Sequence, residues 1–123
     1  MKLTKKTIGN KDVYFENGVK KYAYYKNSEG YESWTEYDKN NNEIHYRNSN
    51  GFEYWKEYDK NNNEIHFKSN TGFESWKEYD SNNNRIHFKS SYGYESWSDE
   101  NPNNPKNRGV EVDIEPFAFK KEK

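Results

Sequence analysis

The sequence predicts an all-β fold: a curved, single-layer antiparallel meander of about 8–10 strands built from β-hairpin repeats. Three observations lead there. The chain repeats every 21 residues. Asn and Gly punctuate it every few residues, too often for a helix. The segments between them are rich in Tyr, Phe, Trp and Ile, the residues of pleated, half-buried surfaces.

The repeat is explicit. Trp34, Trp55, Trp76 and Trp97 are 21 apart, as are Gly30, Gly51, Gly72 and Gly93, and His45, His66 and His87. The unit reads G-[YF]-E-[SY]-W-[TK]-E-Y-D-x-N-N-N-[ER]-I-H-[YF]-[KR], with three nearly complete copies over 30–92. A fourth begins at "GYESWSDE" and breaks at "NPNNPKN"; "YFENGVKKYAYYKNSE" before the first reads as a degenerate half copy. The expected organisation is one domain over 1–123: N-terminal strands and half repeat at 1–29, repeats at 30–98, a polar linker at 99–108 and a C-terminal strand at 109–123. In that last segment Val110, Val112 and Ile114 alternate, predicting a strand that packs on the sheet or pairs with its edge.

Composition narrows the function classes. Of the 123 residues only 29% are hydrophobic, yet 19% are aromatic, with 12 Tyr, 7 Phe and 4 Trp. Disordered chains are poor in aromatics, so the chain reads as folded, with rings in place of aliphatic bulk. A net charge of -1 gives no global field toward nucleic acid or membrane. With no Cys, disulfide and thiolate chemistry are excluded. No apolar run follows the N-terminal lysines and none is long enough to span a bilayer, so a cytoplasmic protein without membrane partners is expected.

Each unit fits two strands joined by two turns. "NG" at 50–51 is the signature of a two-residue type I′ hairpin. D-x-N-N-N suits a type I turn followed by a left-handed residue, with Asn41, Asn62 or Asn83 in the left-handed place. These turns imply a register in which Tyr46 faces Trp55 and Trp55 faces Phe67. One aromatic row then crosses the sheet: Tyr25, Trp34, Tyr46, Trp55, Phe67, Trp76, Phe88, Trp97. On this reading the four tryptophans are structural, a spine of cross-strand pairs.

The same register assigns two faces. The Trp face carries Ile44, Ile65 and Ile86 with Glu32, Glu36, Glu53, Glu57, Glu74, Glu78 and Glu95. The opposite face carries Arg47, Lys56, Lys68, Lys77 and Lys89 with the three histidines, Tyr37, Phe52, Tyr58, Phe73 and Tyr79, and also Glu43 and Glu64. The expectation is one acidic face and one basic–aromatic face.

The unit resembles the YD repeat of the Rhs family over roughly 22–98. Tyr37-Asp38, Tyr58-Asp59 and Tyr79-Asp80 match its Tyr-Asp pair, and Gly51, Gly72 and Gly93 its second glycine. The resemblance implies successive hairpins in one winding sheet. This chain has few repeats, and Asn replaces Gly in its D-x-N-N-N turn. A compact, Cys-free, Lys/Asn-rich chain is also similar in style to small phage-encoded inhibitors such as anti-CRISPR proteins.

Candidate sites follow. "DKNNNE" resembles the opening of a calcium loop but lacks the Gly at the sixth position and the Glu at the twelfth, so it reads as a turn. The histidines lie about 10 Å apart, too far to share one zinc ion. In the predicted register they face Thr35, Lys56, Lys77 and Ser98, with no carboxylate to orient a base. Repeated carboxylates share one environment, whereas an acid/base pair needs two. No catalytic, cofactor or metal residue is therefore expected.

The binding candidates are Glu32, Glu36, Glu53, Glu57, Glu74 and Glu78 on one face, and Arg47, Tyr54, Lys56, Tyr58, Lys68 and Lys77 on the other. The expected function is non-catalytic protein binding, as an inhibitor occluding a larger protein, with a nucleic-acid enzyme or nucleoprotein complex suited to the acidic face. The alternatives are a carbohydrate- or surface-binding module and single-stranded nucleic-acid binding. The chain is expected to be a monomer or an edge-paired dimer.

Overall fold

A computed structural model describes residues 2–108. They form ten antiparallel strands in one open sheet, in sequence order: β1 Leu3–Ile8, β2 Lys11–Glu16, β3 Val19–Lys26, β4 Glu32–Tyr37, β5 Glu43–Asn48, β6 Glu53–Tyr58, β7 Glu64–Ser69, β8 Glu74–Tyr79, β9 Arg85–Ser90 and β10 Glu95–Trp97. The all-β hairpin meander is thus observed. The predicted strand at 109–123 lies outside the described residues.

The D-x-N-N-N turns close as expected. The Asp59 amide donates to the Asn63 carbonyl at 2.9 Å and the Asn62 amide to the Asp59 carbonyl at 3.0 Å. Asn41, Asn62 and Asn83 sit at φ of 70°, 67° and 67°, the left-handed region that Asn tolerates. Asp59 Oδ1 accepts the amides of Asn61 and Asn63, both at 2.9 Å. Neighbouring turns are also tied: Asn42 Nδ2 donates to Asn62 Oδ1 at 2.8 Å, and Asn63 Nδ2 to Asn83 Oδ1 at 2.9 Å.

The glycine turns differ from the prediction, and the difference resets the register. The loop at 49–51 has three residues: the Asn48 amide donates to the Phe52 carbonyl at 3.0 Å, and the Gly51 amide to the Asn48 carbonyl at 3.0 Å. A type I′ loop needs positive φ at both central residues, but only Gly51 has it, at 87°. The Asn48 side chain favours the longer loop, because its Oδ1 accepts the amides of Asn50 at 2.9 Å and Phe52 at 3.3 Å.

A second offset lies on the other side of each unit. Tyr58 pairs with Glu64 while Glu57 pairs with His66, so Ile65 is bulged out of the ladder. Ile44 and Ile86 are skipped in the same way.

The predicted aromatic row is therefore split. Trp55 pairs with His45 and Lys68, whereas Tyr46 pairs with Tyr54 and Phe67 with Lys56. The tryptophans occupy one face. The Tyr/Phe spine occupies the other, with ring centroids 5.0 Å apart for Tyr46–Tyr54, 5.2 Å for Tyr54–Phe67 and 5.9 Å for Phe67–Phe73. Each such pair adds about 0.5–1.5 kcal/mol beyond area burial. Among the described residues only Val13 and Ala23 are buried hydrophobics, so these partly covered ring ladders stand in for a two-layer core.

The polar segment after β10 is tied back to the sheet. The Ser98 amide and Asn101 Nδ2 donate to the Ile86 carbonyl at 2.9 and 3.0 Å, and Asn104 Nδ2 donates to the Ser98 carbonyl at 3.0 Å. Asn101 and Asn104 are buried in consequence, and a single helical turn, α1 Pro105–Arg108, follows. Among the described residues no helix is long and apolar enough to cross a membrane.

Candidate binding face

The corrected register moves the histidines, Arg47, Lys68 and Lys89 onto the Trp face and Tyr46, Phe67 and Phe88 off it, while leaving the carboxylates in place. Glu32, Glu36, Glu53, Glu57, Glu74 and Glu78 share the Trp face, as predicted, because they alternate with the tryptophans on the same strands. Arg47, Lys68 and Lys89 also lie there, opposite Glu53, Glu74 and Glu95. So do the three histidines, each opposite a tryptophan. The predicted purely acidic face is in fact a lattice of both signs.

The histidines are its nodes. His45 stacks on Trp55 with centroids 5.3 Å apart and 8° between planes, His66 on Trp76 at 5.7 Å and 18°, and His87 on Trp97 at 3.8 Å and 20°. Each imidazole also lies between two carboxylates, contrary to the expected neighbours Thr35, Lys56, Lys77 and Ser98. His66 meets Glu57 through Nδ1 at 2.9 Å and Glu74 through Nε2 at 2.7 Å; His87 meets Glu78 at 3.0 Å and Glu95 at 2.7 Å. His45 meets Glu53 at 2.6 Å and, more loosely, Glu36 at 3.7 Å.

A neutral imidazole has one donor and one acceptor, so donation to both carboxylates requires the protonated ring. At His66 burial pushes the pKa down, but the bonds to Glu74 and Glu57 outweigh it and the net shift is upward. The sequence carries this motif legibly: in all three copies a Glu precedes the His by nine residues and another follows it by eight.

The first repeat differs. There the Arg47 guanidinium lies over the Trp34 ring, 4.3 Å from its centroid. Tyr24 packs on the same indole at 5.7 Å and donates its hydroxyl to Glu32, which pushes the phenol up to about 12. A hollow of about 530 Å³ opens beside it, lined by Tyr14, Tyr22, Tyr24 and Trp34 with Glu36, His45 and Arg47. Sequence reasoning missed this hollow because Tyr14, Tyr22 and Tyr24 precede the regular repeats.

The opposite face holds Tyr54, Lys56, Tyr58 and Lys77 of the candidates. Their charges are engaged: Lys56 lies 3.3 Å from Glu43 and 3.7 Å from Glu64, and Lys77 lies 2.6 Å from Glu64. Tyr54 donates to Glu43 Oε1 at 2.8 Å and Tyr58 to the Glu43 carbonyl at 2.6 Å. Burial first, then the Glu64 and Glu43 carboxylates, push Tyr58 up to about 12. The charges of this face are paired around the ring spine, while Tyr92 and Tyr94, which pack on Phe73 and Phe88, stand exposed at one end of it.

Among the described residues no group of three or more His, Cys, Asp or Glu is arranged to hold a metal ion. The Asp59 carboxyl, held below its usual range chiefly by the Asn63 backbone amide, is committed to its own turn. No protein-family model matches the chain, and no match to it is found among curated proteins.

Proposed function

We propose that this chain is a non-catalytic protein-binding module that inhibits a larger cytoplasmic protein by covering one of its functional surfaces. One observation carries the reading: a single-layer sheet presents exposed Trp55 and Trp76 inside an ordered lattice of carboxylates. Indoles are enriched among the residues that carry most binding energy, and interface cores are ringed by a polar rim. Catalysis is disfavoured, because both nitrogens of His66 and of His87 are held by carboxylates.

The reading of the unit as a YD-type repeat, and of the chain as a phage or mobile-element inhibitor of the anti-CRISPR kind, belongs to this proposal. A basic partner such as a nucleic-acid enzyme suits the carboxylate rows. Single-strand binding by the other face is disfavoured by the pairing of Lys56 and Lys77 with Glu43 and Glu64.

The test is affinity capture from host lysate, followed by association kinetics with the captured protein. Replacing Glu53, Glu57, Glu74 and Glu78 with Gln should slow association and flatten its salt dependence. Unchanged binding would sink the carboxylate model, and failure to capture any protein would sink the module itself.

A second reading has one observation in its favour. The hollow among Tyr14, Tyr22, Tyr24 and Trp34, with Glu36 and Arg47 at hand, offers rings and polar groups to a sugar. Quenching of Trp fluorescence by a glycan would support it; a null glycan array with unchanged fluorescence would exclude it.

A further inference from the structure

The Trp face repeats at a fixed interval, and its open positions have a preferred ligand geometry. Trp34 is covered by the Arg47 guanidinium, 4.3 Å above its ring. In the next two copies the residue paired in the same place is lysine, Lys68 opposite Trp55 and Lys89 opposite Trp76. Trp55 and Trp76 remain 40% and 39% exposed. Beside them the side chains of Glu57 and Glu78 are 70% and 61% exposed. A hollow of about 800 Å³ opens beside Trp76, with Glu57, Ile65, His66, Glu78 and Ile86 also in its lining. The protein thus shows on itself the contact that two of its indoles leave open.

Charge points the same way. From β4 to β10 this face carries seven glutamates (Glu32, Glu36, Glu53, Glu57, Glu74, Glu78 and Glu95) against three permanent cations, Arg47, Lys68 and Lys89. An arginine-bearing ligand complements it, with the guanidinium on the indole and its edge toward the carboxylate.

Spacing selects the ligand's backbone. Equivalent residues recur every two strands, about 9.6 Å apart. A β-strand laid across the rows fails to match, because its side chains alternate and every third one points away. A polyproline II helix has three residues per turn at about 3.1 Å each, which places every third side chain on one side at about 9.3 Å intervals. Its prolines also suit aromatic surfaces.

We infer that the Trp face takes a proline-rich segment of a partner protein in the polyproline II conformation, crossing the strands, with arginines three residues apart over Trp55 and Trp76 and against Glu57 and Glu78. This rests on the protein-binding reading and names the chemistry of the partner.

The test titrates the full chain with the peptide (Arg-Pro-Pro)4 and with an isomer of equal composition whose arginines are contiguous, following Trp fluorescence at low salt. The spaced peptide should bind about three- to ten-fold more tightly. The double substitution E57Q/E78Q should abolish that preference while far-UV circular dichroism shows the sheet retained, with only the small loss of melting temperature that follows from weakening the bonds to His66 and His87. Equal affinities overturn the inference, as does a preference that survives in the double variant. If neither peptide binds while the captured protein still does, the inference falls and the protein-binding reading stands. If no protein is captured either, both fall.

Discussion

The His66 imidazole lies almost parallel to the Trp76 indole, 5.7 Å between centroids, while its two nitrogens meet Glu57 and Glu74 at 2.9 and 2.7 Å. One side chain thereby links three strands, β6 through Glu57, β7 through itself and β8 through Glu74 and Trp76. This node makes the stability of the sheet depend on pH. The His66 pKa is raised above its ordinary value of 6.5, the bonds to Glu74 and Glu57 overcoming burial. Its contribution is therefore complete below 6.5 and is lost as pH rises through the folded-state value. The substitution H66Q should cost about 0.5–1 kcal/mol at about pH 5.5 and less at about pH 8.5. Thermal melts of both proteins at the two pH values give the comparison; an identical cost at both would show that the node is not protonated.

The Asp59 carboxylate holds its turn through the amides of Asn61 and Asn63. D59A should lower stability measurably, and D59N less, because its amide oxygen still accepts. The Asp59 pKa is depressed, chiefly by the Asn63 amide, so its contribution is present above 3.8 and lost as pH falls through the folded-state value. D59N should lack that acid-dependent loss. Urea titrations at neutral and acid pH measure both effects; an acid-dependent loss as large in D59N as in the wild-type chain would refute the assignment.

Cross-strand ring contact belongs to Tyr46 and Tyr54, with centroids 5.0 Å apart, and not to Tyr46 and Trp55. A double-mutant cycle of Tyr46→Leu with Tyr54→Leu should give a coupling of about 0.5–1.5 kcal/mol. The cycle of Tyr46→Leu with Trp55→Leu should give almost none. The reverse ranking would restore the register expected from a two-residue glycine loop.

How far the sequence could be read turns on that loop. The 21-residue period, the strand-turn alternation and the left-handed Asn41, Asn62 and Asn83 follow from local chemistry, and all are observed. So are the glutamates beside the tryptophans, because residues two apart on one strand share a face whatever the pairing. What escaped was the relation between strands. Asn50-Gly51 fits a two-residue loop and a three-residue loop alike, and the Asn48 side chain favours the longer one. The bulges at Ile44, Ile65 and Ile86 add the second offset. Each one-residue slip sends the side chains of one strand to the other face relative to its neighbour. That is why Arg47, Lys68, Lys89 and the histidines joined the tryptophans, while Lys56 and Lys77 stayed opposite.

On the proposed function the Trp face, and not the Tyr/Phe face, meets the partner. The most direct measurement follows the indole N–H signals of the four tryptophans and the ring signals of Tyr54 and Phe67 by NMR as the captured protein is added. The Trp55 and Trp76 indoles should shift or broaden at substoichiometric partner while Tyr54 and Phe67 hold. Perturbation of Tyr54 and Phe67 with unmoved indoles would contradict it.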